Sequence, residues 1–175
     1  MHKITGRLQR WEQHSFRFVN QRLRHVWLDR LFTAVTHLGG ASCTIAASLS
    51  LALLGTGPLH TAALQAAVAL AVSHLPVAVM KKACRRPRPY LVLPGTHTGA
   101  KPLKDYSFPS GHSTAIASVV LPFVGAFPML GPALLPLALL VTLSRIYLGL
   151  HYPSDCLAGS AIGTLAACGT AALWG

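Results

Sequence analysis

An arginine, a histidine and an aspartate follow one another closely near the end of the chain, as Arg145, His151 and Asp155. Asp155 comes four residues after His151, so on a helix or a tight turn the two side chains can touch. A carboxylate on one imidazole nitrogen fixes the tautomer and leaves the other nitrogen free to act as a base or a nucleophile. The segment therefore predicts a reactive imidazole close to a fixed positive charge.

A second candidate group, Pro109-Ser110-Gly111-His112, stands just before an apolar stretch. A glycine after a serine at a helix start offers backbone N–H groups and the positive end of the helix dipole to an anion. His112 adds a second titratable imidazole. Such a short string is weak evidence by itself, because it occurs by chance in many proteins.

A third group, Lys81 to Pro89, places several cations at the end of another apolar stretch. Taken alone, it is typical of juxtamembrane basic residues that bind anionic headgroups. Together, the groups supply the cations Lys81, Arg88 and Arg145, neutral donors, two imidazoles and one orienting carboxylate. Guanidinium groups suit phosphate oxygens, so this set favours phosphoryl transfer without a metal.

The overall composition places this chemistry in a membrane. Of the 175 residues, 52% are hydrophobic and 11% are charged, whereas a soluble domain carries about 25% charged residues. A chain this apolar is neither a soluble globule nor disordered, and we expect an integral, multi-pass protein of the cell membrane. In a soluble protein the net charge of +11 would suggest nucleic acid, but here we expect the bilayer and a lipid phosphate as partners, and no nucleic acid.

The apolar stretches predict an all-α bundle of about five transmembrane helices. They run from Leu31 to Leu54, Leu59 to Met80, His112 to Phe127, Met129 to Leu143 and Cys156 to Trp174. Five spans bring the N-terminal segment, the predicted loop 81–109 and the segment 145–155 to one face of the membrane. The turns on the other face contain no Asp, Glu, Lys or Arg.

Residues 1–30 form a basic amphipathic N-terminal segment, ahead of a membrane-embedded domain at 31–175. The apolar residues from Phe16 to Trp27 share one helical arc, which is typical of an interfacial helix. In the last span, Gly159 and Gly163 have the spacing that lets helices approach closely. We interpret this pair as packing within one bundle, with a homodimer seam as the alternative.

In order and spacing, the three groups resemble the three-part signature of the type-2 phosphatidate phosphatase (PAP2) superfamily, KxxxxxxRP, PSGH and SRxxxxxHxxxD. The resemblance extends from about Leu31 to the C-terminus and indicates a small bacterial-type membrane lipid phosphatase. Every specified position is matched, by Lys81, Arg88, Pro89, Pro109, Ser110, Gly111, His112, Ser144, Arg145, His151 and Asp155.

The resemblance implies a mechanism and no cofactor or metal. His151 would attack phosphorus in line and become phosphohistidine, with Asp155 holding its far nitrogen, and His112 would protonate the departing oxygen. Fixed cations suit such a reaction, because negative charge is spread over the equatorial phosphate oxygens. The residues expected to hold those oxygens are Lys81, Arg88, Ser110, Gly111 and Arg145.

The substrate is expected to be an amphiphilic lipid, such as a polyprenyl pyrophosphate, phosphatidylglycerol phosphate or phosphatidate. The alternatives are a non-catalytic protein that binds lipid headgroups, a vanadate-dependent haloperoxidase, which the scarcity of charge disfavours, and a small transporter. His37 and His74 are interpreted as packing or interhelical hydrogen-bonding residues. Seven Lys and Arg residues before the first span favour a cytoplasmic site, whereas most bacterial relatives are thought to act on the outer face.

Overall fold

The computed structural model describes residues 2–99 and 103–174, which form helices and no strand. This confirms the predicted all-α class. Short π and 3-10 turns join some of the helices. The α-helices are α1 (His2–Arg17), α2 (Val26–Val35), α3 (Ala41–Leu54), α4 (Pro58–Cys84), α5 (Pro89–Val92), α6 (Gly111–Ala126), α7 (Gly131–Tyr147) and α8 (Pro153–Trp174).

Several of these helices can cross a membrane. Within the described residues, three segments are long and apolar enough to do so, Pro58–Val92, Pro128–Tyr147 and Pro153–Trp174. A bent pair, Val26–Gly39 with Ala41–Leu54, is a fourth candidate span, and α6 is apolar but has only 16 residues. The protein is therefore a multi-pass membrane protein with three or four full-length spans and a shorter apolar helix, close to the five predicted.

The first span is bent rather than straight, which corrects the prediction of one continuous stretch from Leu31 to Leu54. Helices α2 and α3 meet at 52° across a 3-10 turn that ends at Gly39. A Cβ atom on Gly39 would lie 2.5 Å from Val141 Cγ1 and 3.1 Å from the carbonyl oxygen of His112. The bend therefore lets this span pass close to α7 and to the start of α6.

Helix α6 lies at the centre of the bundle, between α4 and α8. A Cβ atom on Gly159 would lie 2.4 Å from the carbonyl oxygen of Ser110, and one on Gly163 would lie 2.4 Å from that of Thr114. The small residues of α8 therefore bring its backbone against α6. This contact supports the interpretation of the Gly159 and Gly163 pair as packing within one bundle.

The N-terminal segment is helical, but not over the predicted arc. Helix α1 ends at Arg17, a π turn follows over Phe18–Arg22, and His25 has an extended backbone before α2 begins. The continuous helix expected from Phe16 to Trp27 is therefore interrupted. Phe16 is fully buried against Tyr152, with 5.7 Å between ring centroids, so part of the apolar face packs on the protein.

The alternating direction of the helices gathers the charged residues at one end of the bundle. This charged end comprises the start of α2, the end of α4, the described residues between α4 and α6, the end of α7 and the start of α8. The predicted loop 81–109 begins later than expected, because α4 continues to Cys84, and it contains the short helix α5. The four cysteines are free.

Candidate active site

A cavity of about 430 Å³ opens at the charged end of the bundle. A larger cavity, of about 740 Å³, lies between α4, α6 and α8 and has no charged residue in its lining. Asp155 and Ser110 are fully buried behind the first cavity. The predicted site residues that line the cavity are Lys81, Arg88, Gly111, His112, Arg145 and His151.

His151 lies in the tight turn between α7 and α8, where its backbone N–H donates to the carbonyl oxygen of Arg145 at 3.1 Å. Its Nε2 is 3.1 Å from Arg88 Nη1. A guanidinium can only donate, so Nε2 carries the lone pair and Nδ1 carries the proton of the neutral ring. Burial lowers the pKa of His151 to about 4, and the charges of Arg88 and Arg145 act in the same direction. The imidazole is therefore neutral near pH 7, with Nε2 able to act as a nucleophile.

Asp155 lies beside His151, but no hydrogen bond joins the two side chains. The distance from His151 Nδ1 to Asp155 Oδ2 is 3.7 Å, too long for a hydrogen bond. Other donors already hold the carboxylate. Oδ2 accepts from Ser107 Oγ at 2.5 Å and from the N–H of Tyr152 at 2.8 Å, while Oδ1 accepts from Arg86 Nη1 at 2.7 Å.

Arg88 and Lys81 share a carboxylate that the sequence did not single out. Asp105 Oδ1 accepts from Arg88 Nη2 and Oδ2 accepts from Lys81 Nζ, each at 2.7 Å. Partial burial alone would raise the pKa of Asp105, but the hydrogen bonds and charges of the two cations lower it to about 2. Asp105 is thus ionised and occupies donors that were predicted to hold phosphate.

Arg145 is buried with part of its guanidinium unused. Its Nη1 donates to Thr36 Oγ1 at 2.6 Å, from the bent region between α2 and α3. Among the described residues, the buried side-chain nitrogen and oxygen atoms without a hydrogen-bond partner are Arg145 Nε and His151 Nδ1. A buried donor without an acceptor costs roughly 1–3 kcal/mol. An anion in the cavity would supply the acceptor that Arg145 Nε lacks.

Residues 110–112 form the start of α6. Ser110 is the N-cap, and its hydroxyl accepts from the N–H of Ser113 at 3.4 Å and from Ser113 Oγ at 3.0 Å. The Ser110 hydroxyl therefore caps the helix and does not line the cavity, whereas Gly111 and His112 do. The first N–H groups of a helix have no partner within it, which favours an anion at this position.

Several residues of this site were missed from the sequence. Thr36 and Ser107 are ordinary hydroxyl residues with no motif around them, and His74, interpreted as a packing residue, lines the cavity. Asp105 and Glu12, which accepts from Arg86 Nη2 at 2.5 Å, carried one signal that could have identified them. They belong to a set of 4 acidic residues in a chain with 15 Lys and Arg residues, so each acidic side chain has many cations to pair with.

A model of the PAP2 superfamily matches residues 62–175 of this chain. The chain belongs to the PAP2 superfamily. The matched residues run from α4 to the C-terminus and contain every residue of the three-part signature.

Two curated relatives are similar to different extents of the chain. A lipid A 1-phosphatase of Rhizobium etli is 42% identical over 57 residues, which is 33% of this chain and 25% of that protein's length. Phosphatidylglycerophosphatase B of Bacillus subtilis is 29% identical over 158 residues, or 82% of this chain and 73% of that protein. The second similarity thus extends over most of this PAP2 chain.

A solved structure has the same fold. The crystal structure of Aquifex aeolicus LpxE superposes with a TM-score of 0.82 at 24% sequence identity. The superposition covers 93% of this chain and 95% of that one. It includes residues that precede the family match, so the shared fold is not confined to 62–175.

Proposed function

We propose that this PAP2 protein hydrolyses a phosphate monoester or pyrophosphate of a membrane lipid through a phosphohistidine intermediate on His151. The observation that carries the proposal is the position of His151 Nε2. This atom bears a lone pair at the cavity and lies 3.1 Å from the Arg88 guanidinium. A nucleophile beside a fixed cation is what attack on a phosphoryl group requires.

In the first step, a phosphate oxygen takes over the Arg88 Nη1 donor, which frees the lone pair of His151 Nε2. This nitrogen then attacks phosphorus, and the N–P bond forms as the P–O bond to the lipid breaks. His112 enters this step protonated, gives its proton to the departing lipid oxygen and is left neutral. In the second step, neutral His112 takes a proton from water, the water oxygen bonds to phosphorus as the N–P bond to His151 breaks, and inorganic phosphate leaves. His151 then returns to its neutral form and both histidines are ready for another turnover.

The cations hold the transferring group in this scheme. Lys81 and Arg88 bind equatorial oxygens once the Asp105 carboxylate has given way to phosphate, since both anions use the same donors. The unpartnered Nε of Arg145 donates to a third oxygen. Removal of one such donor costs about 10²-fold or more in kcat.

The proposed substrate is amphiphilic, because an apolar groove adjoins the catalytic cavity. This groove, about 330 Å³, lies between α3 and α4, and His74 lines both spaces. A hydrocarbon chain in the groove would place its phosphate near Lys81. The names of the relatives, lipid A 1-phosphatase and phosphatidylglycerophosphatase B, fall in the same substrate class.

Phosphate release by the purified, detergent-solubilised protein tests the proposal. The substrates are phosphatidylglycerol phosphate, phosphatidate, a polyprenyl pyrophosphate and lipid A, each with and without EDTA. We expect release that survives EDTA, is abolished in His151→Ala and is unchanged in His14→Ala, which removes an exposed histidine of α1. With a substrate that carries a radiolabelled phosphate, acid-labile label bound to the wild-type protein and absent from His151→Ala would identify the phosphohistidine intermediate.

No release from any of these lipids, or equal release by His151→Ala, would overturn the proposed mechanism. Binding of the same lipids without release would instead favour the non-catalytic headgroup-binding alternative.

A further inference from the structure

Arg86 is not part of the family signature, yet its guanidinium joins two carboxylates. Nη1 donates to Asp155 Oδ1 at 2.7 Å, and Nη2 donates to Glu12 Oε2 at 2.5 Å. The group also stacks on the ring of Tyr152, with 4.0 Å between the guanidinium carbon and the ring centroid. The two carboxylates contact the Arg86 guanidinium in its plane, and the Tyr152 ring contacts its face. Together these contacts fix the orientation of the guanidinium.

Glu12 is a buried carboxylate on α1, ahead of the residues that the family model matches. It is 9% exposed and also contacts the hydroxyl and the N–H of Ser154, next to Asp155. A buried carboxylate without partners would be strongly unfavourable, so its position is set by Arg86 and Ser154. Helix α1 is thereby attached to the start of α8, where Asp155 lies.

The orientation of Asp155 depends on these contacts. The carboxylate is fully buried, and Arg86 holds one oxygen while Ser107 and the N–H of Tyr152 hold the other. Its 3.7 Å separation from His151 Nδ1 follows from this arrangement. A shift of a few tenths of an ångström during the reaction would bring the two groups into hydrogen-bonding distance.

We propose that Arg86, held in place by Glu12 of α1, is a positioning residue that fixes the Asp155 carboxylate against His151. The N-terminal helix is then part of the apparatus that orients the nucleophile, as well as a basic segment at the membrane. The inference rests on the proposed role of His151 as nucleophile.

Asn20 supplies independent support from the same N-terminal segment. Its side chain is fully buried and donates to the carbonyl oxygen of Tyr147 at 2.7 Å and to that of His97 at 2.8 Å. Tyr147 ends α7 just before the turn that carries His151. Asn20 thus holds the segment before His151, while Glu12 acts through Arg86 on the segment after it.

Steady-state kinetics of the full-length protein in detergent micelles test the proposal. The substrate is phosphatidylglycerol phosphate, replaced by phosphatidate if the wild type does not hydrolyse it. The variants are Arg86→Gln, Arg86→Lys, Glu12→Gln and the double variant Glu12→Gln with Arg86→Gln. Arg85→Gln is the matched control, because Arg85 is exposed and, among the described residues, its side chain donates only to the carbonyl oxygen of Lys82.

Arg86→Gln is expected to lower kcat by about tenfold to hundredfold, as for other groups that orient a catalytic residue, with KM changed less than about twofold. Arg86→Lys should recover part of this loss. Glu12→Gln alone is expected to lower kcat by about threefold to tenfold. The double variant should have the same kcat as Arg86→Gln, because Glu12 acts through Arg86.

The dependence of kcat/KM on pH gives a second measurement, which partial unfolding of a variant would not change in the same way. His151 faces Asp155, Arg88, Arg145 and His112, and Arg86 reaches it only through Asp155. Without the Arg86 charge, Asp155 stabilises the protonated imidazole more strongly. The acidic limb of kcat/KM should therefore move to higher pH in Arg86→Gln and stay in place in Arg85→Gln.

Each result separates this inference from the proposed function. An inactive wild type, or an active His151→Ala, contradicts the proposed function. An active wild type and an inactive His151→Ala, with wild-type kcat in Glu12→Gln and Arg86→Gln, overturns the positioning role. A raised KM with unchanged kcat would overturn it too. If Arg86→Gln does not fold by size exclusion, Arg86→Lys and Glu12→Gln decide the question by the same kcat criterion.

Discussion

Asp105 and Arg88 form an ion pair inside the candidate active site, with 2.7 Å between Oδ1 and Nη2. Arg88 is 1% exposed, whereas the side chain of Asp105 is 54% exposed. The cation is thus fixed in the protein, while the anion lies at the mouth of the cavity, where it can move aside. Asp105 occupies part of the space that an incoming phosphate would need.

Replacing Asp105 with Asn should strengthen the binding of anions in the cavity. The amide keeps the size of the side chain but no longer competes as a carboxylate for Lys81 and Arg88. We expect orthovanadate to inhibit at a concentration lower by about threefold to tenfold, equivalent to about 1 kcal/mol of a charge-assisted hydrogen bond. Inhibition titrations on both proteins measure this.

Asp29→Asn is the control, since Asp29 pairs with Arg24 outside the cavity. Because the pKa of Asp105 is about 2, its charge is present throughout the usual assay range, and the difference should not vary between pH 5 and pH 8. Weaker inhibition in Asp105→Asn would mean that the carboxylate organises the cations instead of competing for them.

The acidic limb of kcat/KM should lie near pH 4. His151 has a pKa of about 4, chiefly because it is buried. Protonation therefore removes the lone pair of the nucleophilic Nε2 only below that pH. Activity should therefore be retained as the pH falls from 7 to 5, and then decline. The measurement is kcat/KM against pH at constant ionic strength. A limb at the ordinary histidine value of about 6.5 would contradict a neutral, buried nucleophile.

Thr36→Val should impair the site through Arg145. The substitution removes the acceptor of Arg145 Nη1, which lies 2.6 Å from the threonine hydroxyl, and leaves a second buried donor unpaired. We expect a loss of about 1–3 kcal/mol, seen as a lower unfolding midpoint, a lower kcat/KM or both. Thr33→Val, an exposed position on α2 three residues before Thr36, is the matched control. Equal behaviour of the two variants would show that the hydroxyl does not support Arg145.

Gly159→Ala should destabilise the bundle. The added methyl would lie 2.4 Å from the backbone carbonyl oxygen of Ser110, so α8 must move away from the start of α6. Overpacking of this kind costs about 1–3 kcal/mol. Gly169→Ala, whose Cβ would meet nothing within 4 Å, should be neutral or slightly stabilising. Thermal unfolding in detergent compares the two, and similar midpoints would argue against a tight α6–α8 contact.

The spacing of residues in the sequence predicted much of this protein. Long runs without charge predicted the helices, because hydropathy and length decide which segments can lie in a bilayer. The three motifs indicated that Lys81, Arg88, Arg145, His112 and His151 act together. They line one cavity since each lies near the end of an apolar run that opens toward the same face.

Other features depend on contacts that no local spacing encodes. The bend near Gly39 depends on how closely α2 and α3 approach His112 and Val141. The place of Asp105 between Lys81 and Arg88 depends on the path of the long segment between α4 and α6.

The attachment of Glu12 to Arg86 illustrates the same limit. Glu12 and Asp155 belong to opposite ends of the chain, and they meet through Arg86 only after α1 has packed on α8. Hydropathy determines which segments are buried, but not how each helix is rotated about its axis or which polar side chains then face each other. Those choices are made when the helices pack, because a buried charge must find its partner in the folded bundle.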